Sequence, residues 1–425
     1  MPNTATISRV STRQPASAAP ETQQHAPLPD PAIVTRIVDD AQALAAATEL
    51  AGYFRSGAAE RDRSRTLPWE ELDRYSASGL GGITVPRSHG GAQVSHVTLA
   101  EVFRILSAAD PALGQIPQNQ FGVLGVVHQL ATPEQKERIY CAVLAGQRLG
   151  NAGPERGTRT VLHQTTRLRT ADGGLRLDGK RFYSTGALFA HWIPTRALDT
   201  EERAVLVLVE RGAPGVTVAD DWSSFGQRTT ASGSVEFNEV AVDPNNVLPV
   251  WQLAAQPGLT GPVSQLIQAS IDAGIAEAAV DDMLAFVREH ARPWVDSGVS
   301  AAAEDPYIIH AVGRLQVDLH AAVEVLREAA AVLDEIAAGP VTAATSARAS
   351  IAVAEAKILT TEIALDASEK LFELAGSSAT RAAHNLDRHW RNARTHTLHD
   401  PVRWKYHALG NYALNGVFPN RHQWN

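Results

Sequence analysis

The sequence predicts an α+β protein that is mainly α. An N-terminal helical domain over 31–148, a β-barrel-like middle domain over 149–250 and a C-terminal helical bundle over 251–425 follow a disordered arm over 1–30. Two changes of period carry this expectation. Up to about residue 145, and again from Gly261, apolar residues recur at every third or fourth position, as on one face of a helix. Between about Gly150 and Leu248 they alternate or run together in short blocks, as in strands.

The arm is rich in Pro, Ala, Thr, Ser and Gln and has few bulky apolar residues, a composition that cannot offset the entropy of ordering. From Pro31 the pattern turns helical through Ile33, Ile37, Ala41 and Leu44, and a second helix is expected from Pro68 to Gly79. The loop from Gly79 to Gly91 holds five glycines but no phosphate-loop or dinucleotide fingerprint. Helices are expected over Ser95–Ser107, Leu113–Leu130 and Pro133–Leu144.

In the middle segment, Asp172-Gly173 joins two alternating runs, which predicts a hairpin over about 165–179. Strands are also expected over 204–209, 216–218 and 234–237. Past Gly261, the stripes Ile308, Val312, Leu315, Leu319 and Ile351, Ala354, Ile358, Thr361 are what antiparallel helix packing requires.

Composition narrows the function classes. Of the 425 residues, 44% are hydrophobic and 20% charged, ordinary for a globular protein. A net charge of -8 gives no electrostatic support to non-specific nucleic-acid binding. The single cysteine, Cys141, excludes an intrachain disulfide and an all-cysteine metal site. No apolar run reaches the ~20 residues that span a bilayer, and the N-terminus lacks a signal-peptide core, so a cytoplasmic protein without a membrane partner is expected.

The stretch from Asp387 to Pro401 packs three arginines, three histidines and two aspartates into fifteen residues. Arg391 and Arg394 share a helix face and could grip one anionic group together. Proline then ends the helix, which puts His399 and Asp400 at a turn, where function concentrates. His396 and His399 lack a Cys or Glu at ligand spacing, so no metal is expected.

The α–β–α order resembles the acyl-CoA dehydrogenase superfamily of flavoproteins. The likeness runs from about residue 35 to 415 and is carried by Gly79 to Gly91, Gly179-Lys180-Arg181-Phe182-Tyr183-Ser184-Thr185-Gly186, the run Phe225 to Ser234, and Trp390-Arg391-Asn392-Ala393-Arg394. Leu149-Gly150-Asn151-Ala152, Asp220-Asp221-Trp222, Ala291-Arg292-Pro293-Trp294, Glu304-Asp305-Pro306-Tyr307 and the run Arg391 to Pro401 are similar to the dibenzothiophene monooxygenase and sulfur-acquisition branch. That resemblance implies reduced FMN delivered by a separate reductase, O2 as co-substrate, a C4a-hydroperoxyflavin, a small or aromatic organosulfur substrate, and a homo-oligomer, with a tetramer expected.

Position by position, the resemblance implies His399 as the catalytic proton donor, with His396 as second choice and Asp400 at a dehydrogenase's base position. Gln120 falls where relatives carry a second pocket histidine. Asn151, Thr185, Trp222, Ser232 and Ser234 match flavin contacts, Arg292 matches one from a neighbouring subunit, and Arg381 would take over the phosphate from an arginine that the dibenzothiophene enzyme carries near Ser377-Ser378, while Arg391 and Arg394 stay cofactor-binding candidates through their shared helix face. Two other readings stay open: an FAD-dependent acyl-CoA dehydrogenase, and a catalytically weak flavin-binding homologue.

Overall fold

The computed structural model describes residues 25–157, 160, 163–422 and 424–425, so most of the arm expected over 1–30 lies outside the described residues. Of that arm, Pro27 is held against the body, its carbonyl accepting from or facing His191 Nε2 at 2.9 Å. Among the described residues, the helices α1 (Asp40–Ser64), α2 (Trp69–Ser78), α3 (His96–Ala109), α4 (Pro111–Gln115), α5 (Gln118–Leu130) and α6 (Pro133–Leu144) precede the sheet.

Caps decide where they begin. The helix expected from Pro31 starts at Asp40, because the Asp39 carboxylate accepts the Gln42 N–H at 2.8 Å and leaves Ile33 in an exposed turn. Ser95 caps α3 by accepting the Thr98 N–H at 3.1 Å, and Thr132 forms a capping box with Gln135 at α6. The single helix expected over Leu113–Leu130 is two, broken at Ile116-Pro117, where proline cannot donate to the ladder. That break turns Gln115 and Gln118 toward the central cavity described below.

Among the described residues the middle segment is one seven-stranded sheet in the order β5-β6-β2-β1-β3-β4-β7. Its strands are β1 (Arg167–Ala171), β2 (Gly174–Arg181), β3 (Trp192–Leu198), β4 (Ala204–Glu210), β5 (Val216–Val218), β6 (Val235–Val242) and β7 (Val247–Leu248). Among the described residues β5 and β7 are the edges of this order. Neighbours are antiparallel apart from the single bridge of β1 to β3. The hairpin turns on Asp172 (φ 36°) and Gly173 (φ 80°), both left-handed, as a type I′ turn needs. β3 was not expected, because Pro194 interrupts its pattern; the proline pairs with Leu208 across the antiparallel ladder.

The bundle is α7 (Thr260–Glu289), α8 (Pro306–Ala337) and α9 (Ala343–Ala375), followed by α10 (Asp387–His396) and α11 (Arg403–Asn415). Helix α7 is the axis. From Gln265 to Ala276 every residue is buried, since α9, α8 and α3 surround it. A helix covered on all sides has no polar stripe, which is why the sequence of α7 shows none. The largest core cluster is continuous from α1 and α3 through the sheet to α7 and α9. No helix among the described residues is long and apolar enough to cross a membrane.

Candidate active site

A cavity of about 880 Å³ lies where the α4–α5 break, the sheet, α10 and α11 meet. The run between β5 and β6 builds one wall. Trp222 donates its indole N–H to the Gln227 carbonyl at 2.9 Å, and Thr230 Oγ1 reaches the same carbonyl at 3.0 Å. Thr230 and Thr185 each lie 2.7 Å from Ser232 Oγ, so three hydroxyls form a connected row. Tyr183 meets Trp222 edge-on, with ring centroids 6.1 Å apart, and completes an aromatic flank.

This wall is fastened to α10. The Gln227 N–H donates to Asn392 Oδ1 at 2.6 Å. A Cβ on Gly226 would stand 1.9 Å from the Arg391 carbonyl oxygen, so only glycine permits the approach.

The facing wall comes from the end of α10. His399 Nδ1 is 3.3 Å from Asp400 Oδ1, and His399 keeps 32% of its side-chain surface while Asp400 keeps 7%. Burial alone would raise the Asp400 pKa, but the His399 hydrogen bond, with the charges of Lys357, His399 and Lys405, outweighs it and holds the carboxyl well below the usual carboxylate range. Burial lowers the Lys405 ammonium to about 8 against the pull of Asp400. Lys405 Nζ also donates to the Trp424 carbonyl and to Asn425 Oδ1, at 3.2 Å for the latter, which ties the last residues of the chain over the cavity.

Behind this wall is a dry ionic cluster. Asp272 on α7 accepts from Lys357 Nζ at 2.6 Å and Thr361 Oγ1 at 3.0 Å, and faces His396 Nδ1 at 2.6 Å. Burial would raise the Asp272 pKa, yet Lys357 and His396 keep it low. Burial is the largest influence on His396 and lowers its pKa despite Asp272.

The structure brings together His399, Asp400, Asn151, Thr185, Trp222 and Ser232 around the cavity. It sets the others apart. Gln120 is not at the cavity: its Oε1 accepts the Leu149 N–H at 2.8 Å and its Nε2 donates to the Gly81 carbonyl at 2.7 Å, so it is a buried bracket between the helical domain and the sheet. His396 is buried against Asp272, behind the wall. Ser234 is taken by Asp221, with its N–H and its hydroxyl both at 2.7 Å from the carboxylate.

Arg391 cannot reach a phosphate with Arg394, because its guanidinium is spent on Asp62, Asp387, Asn385 and the Phe225 carbonyl. Arg394 and the exposed Arg292 and Arg381 lie off the lining of this chain's cavity. Gln115, Gln118, Tyr183, Gln227, Lys405, His407 and His422 line it without having been singled out. Gln227 sits inside a quoted motif, whereas the tail residues carry no local signal, since only the fold returns them to the cavity.

A helical domain, a sheet and a helical bundle closing on one polar-and-aromatic cavity define the acyl-CoA dehydrogenase class of fold. Two family models match, the acyl-CoA dehydrogenase N-terminal domain over 40–147 and C-terminal domain over 266–404. Dibenzothiophene monooxygenase of Mycolicibacterium goodii is 33% identical over 388 residues, covering 88% of this chain and 94% of that protein. FMN-bound TdsC from Paenibacillus sp. A11-2 superposes with a TM-score of 0.86 at 33% identity, over 90% of this chain and 100% of that one. Methanesulfinate monooxygenase MsuC of Pseudomonas fluorescens gives 0.83 at 30%, over 90% and 99%. The chain belongs to the acyl-CoA dehydrogenase family, in the branch of the dibenzothiophene monooxygenases.

Proposed function

We propose that the protein is a flavin-dependent monooxygenase that uses reduced FMN to oxygenate a small or aromatic organosulfur compound. A separate reductase supplies the flavin, O2 is the co-substrate, and the reaction runs in the cytoplasm. The observation that carries this reading is the state of the two groups at the α10 turn: an accessible imidazole backed by a carboxylate that stays ionised. A dehydrogenase needs a base able to take a proton near neutral pH. Asp400, bonded to His399, near Lys405 and held strongly acidic, is poorly suited to that task.

The residues present fit a flavin. The cavity is large enough for an FMN and a small substrate together, offers an aromatic flank at Trp222 and Tyr183, and leaves buried amide atoms of Gln227 and Gln115 without a partner among the described residues. When bound, reduced FMN supplies the electron pair with which one atom of O2 passes to sulfur and the other leaves as water. The protein's part is to hold, exclude water and place a proton. His399 uses Nδ1 toward Asp400, so Nε2 is the atom free to donate into the cavity. The Asp400 carboxylate orients the imidazole through that contact. Leu398, Trp404, Val417 and Phe418 give apolar lining suited to an aromatic or alkyl sulfur compound.

We place the protein in a homo-oligomer, a tetramer on this reading, in which Arg292 reaches a neighbour's flavin phosphate. Support comes from Arg292 lying exposed on the α7–α8 loop, off its own cavity, next to the exposed Trp294 and Val295. The function is tested by supplying FMN, a flavin reductase, NADH and O2 with dibenzothiophene or methanesulfinate, and separately an acyl-CoA with an electron acceptor. The proposal expects oxygenated product in the first assay and none in the second; the reverse pattern would return the protein to the dehydrogenases.

A further inference from the structure

Among the described residues that line the cavity, Gln227 is the one buried side chain that leaves both ends of its amide without a partner. The residue is only 1% exposed. Its backbone is held at φ 49°, in the left-handed region that a non-glycine residue rarely enters, and Ala231 nearby is at 46°. Its own N–H is used by Asn392, and its carbonyl by Trp222 and Thr230, so every main-chain group is occupied while Oε1 and Nε2 are not. A buried amide with nothing to bond and a strained backbone both oppose folding, and such features persist where a ligand meets them.

The chemistry of the amide narrows the ligand. Gln227 offers one acceptor and one donor side by side. An organosulfur substrate without an N–H can use only the donor and would leave Oε1 orphaned. The pyrimidine end of a flavin carries an N–H flanked by carbonyl oxygens, a matching donor–acceptor edge. Trp222, which bonds to the Gln227 carbonyl, supplies an aromatic face beside it. We infer that the Gln227 side-chain amide pairs with the imide edge of the flavin ring and is the residue that reads it. This rests on the FMN reading above and extends it to a recognition residue that the resemblance did not supply.

The experiment measures binding, not turnover. Oxidised FMN and N3-methyl-FMN, which lacks the imide N–H, are titrated by flavin fluorescence into the full chain and into Gln227→Met, an unbranched change of similar length. The wild type should bind FMN on the order of tenfold more tightly than N3-methyl-FMN, the worth of one buried pairing. Gln227→Met should bind FMN about as weakly as the wild type binds the methylated flavin, and should discriminate little between the two. A second measurement needs no variant: the 15N shift of labelled FMN N3 should move to the hydrogen-bonded position in the wild type. Equal discrimination by both proteins, or an unmoved N3 signal, overturns the assignment while leaving FMN as the cofactor. A wild type that binds neither flavin overturns the cofactor reading itself.

Discussion

His399 has one partner and open cavity beyond it, whereas Gln120 has two partners and none. That difference decides what each substitution should do. On the proposed function, His399→Ala would remove the proton donor and little of the cavity wall, so the FMN dissociation constant should stay nearly unchanged. Product formation should fall on the order of 10²-fold, the usual worth of one positioned acid. The electrons should then appear as hydrogen peroxide, and an assay of both products checks the balance. Asp400→Asn keeps a partner beside Nδ1 but removes the negative charge, and should cost less than His399→Ala. Gln120→His would add no acid to the cavity. It should strip bonds from the Leu149 N–H and the Gly81 carbonyl and lower stability by about 1–3 kcal/mol in urea melts. A rise in oxygenation from Gln120→His would show that the bracket is not its role.

Helix α10 does at the scale of an element what those side chains do singly. Through Arg391 it is pinned to α1, through Asn392 to the cavity wall, and through His396 to the bundle core. Asp272→Ala would leave the Lys357 ammonium buried without its partner, a loss of about 3–5 kcal/mol, far beyond an exposed pair. The histidines give this region a pH signature. Burial, the largest influence, puts the folded pKa of His396 and of His389 below the ordinary value of 6.5. The unfolded chain therefore binds the extra protons, so stability is fully present above about pH 6.5 and falls as pH drops below it. Asp272 and Asp400, held below the ordinary value of 3.8, add their own loss only at more acid pH. Urea midpoints should thus decline between pH 7.5 and 5.5, and equal midpoints would contradict the buried neutral histidines. Sequence periodicity exposed most of these elements: the stops at Gly79 and Leu144 and the Asp172-Gly173 hairpin are local chemistry. Strand β3 was hidden by Pro194, and the start of α1 by apolar residues that turn out to lie in a turn. For the site, the residue types at the α10 turn could be read, but not which histidine faces the cavity. His396 ends α10 and is buried against Asp272 of α7, whereas His399 lies in the turn beyond the helix and faces the cavity.

The largest scale is the assembly, where the exposed surface itself argues for a partner copy. Trp294, Val295, Tyr307, Ile309 and Val317 are exposed together on and before α8, an apolar run that a lone chain would leave in water. Light scattering should therefore give a multiple of 45.5 kDa. If Arg292 reaches across to a neighbour's flavin phosphate, Arg292→Ala should keep that mass and weaken FMN binding by roughly tenfold, the worth of a charged hydrogen bond. A sharper consequence follows from sharing. In a homo-oligomer of Arg292→Ala every site lacks the arginine, and in one of His399→Ala every site lacks the imidazole. Hybrids refolded or co-expressed from the two contain some sites with the His399 of one chain and the Arg292 of the other, and those sites are whole. Mixing two poorly active variants should then recover oxygenation at limiting FMN. If both groups served one chain's own cavity, no hybrid site would be intact and no activity would return.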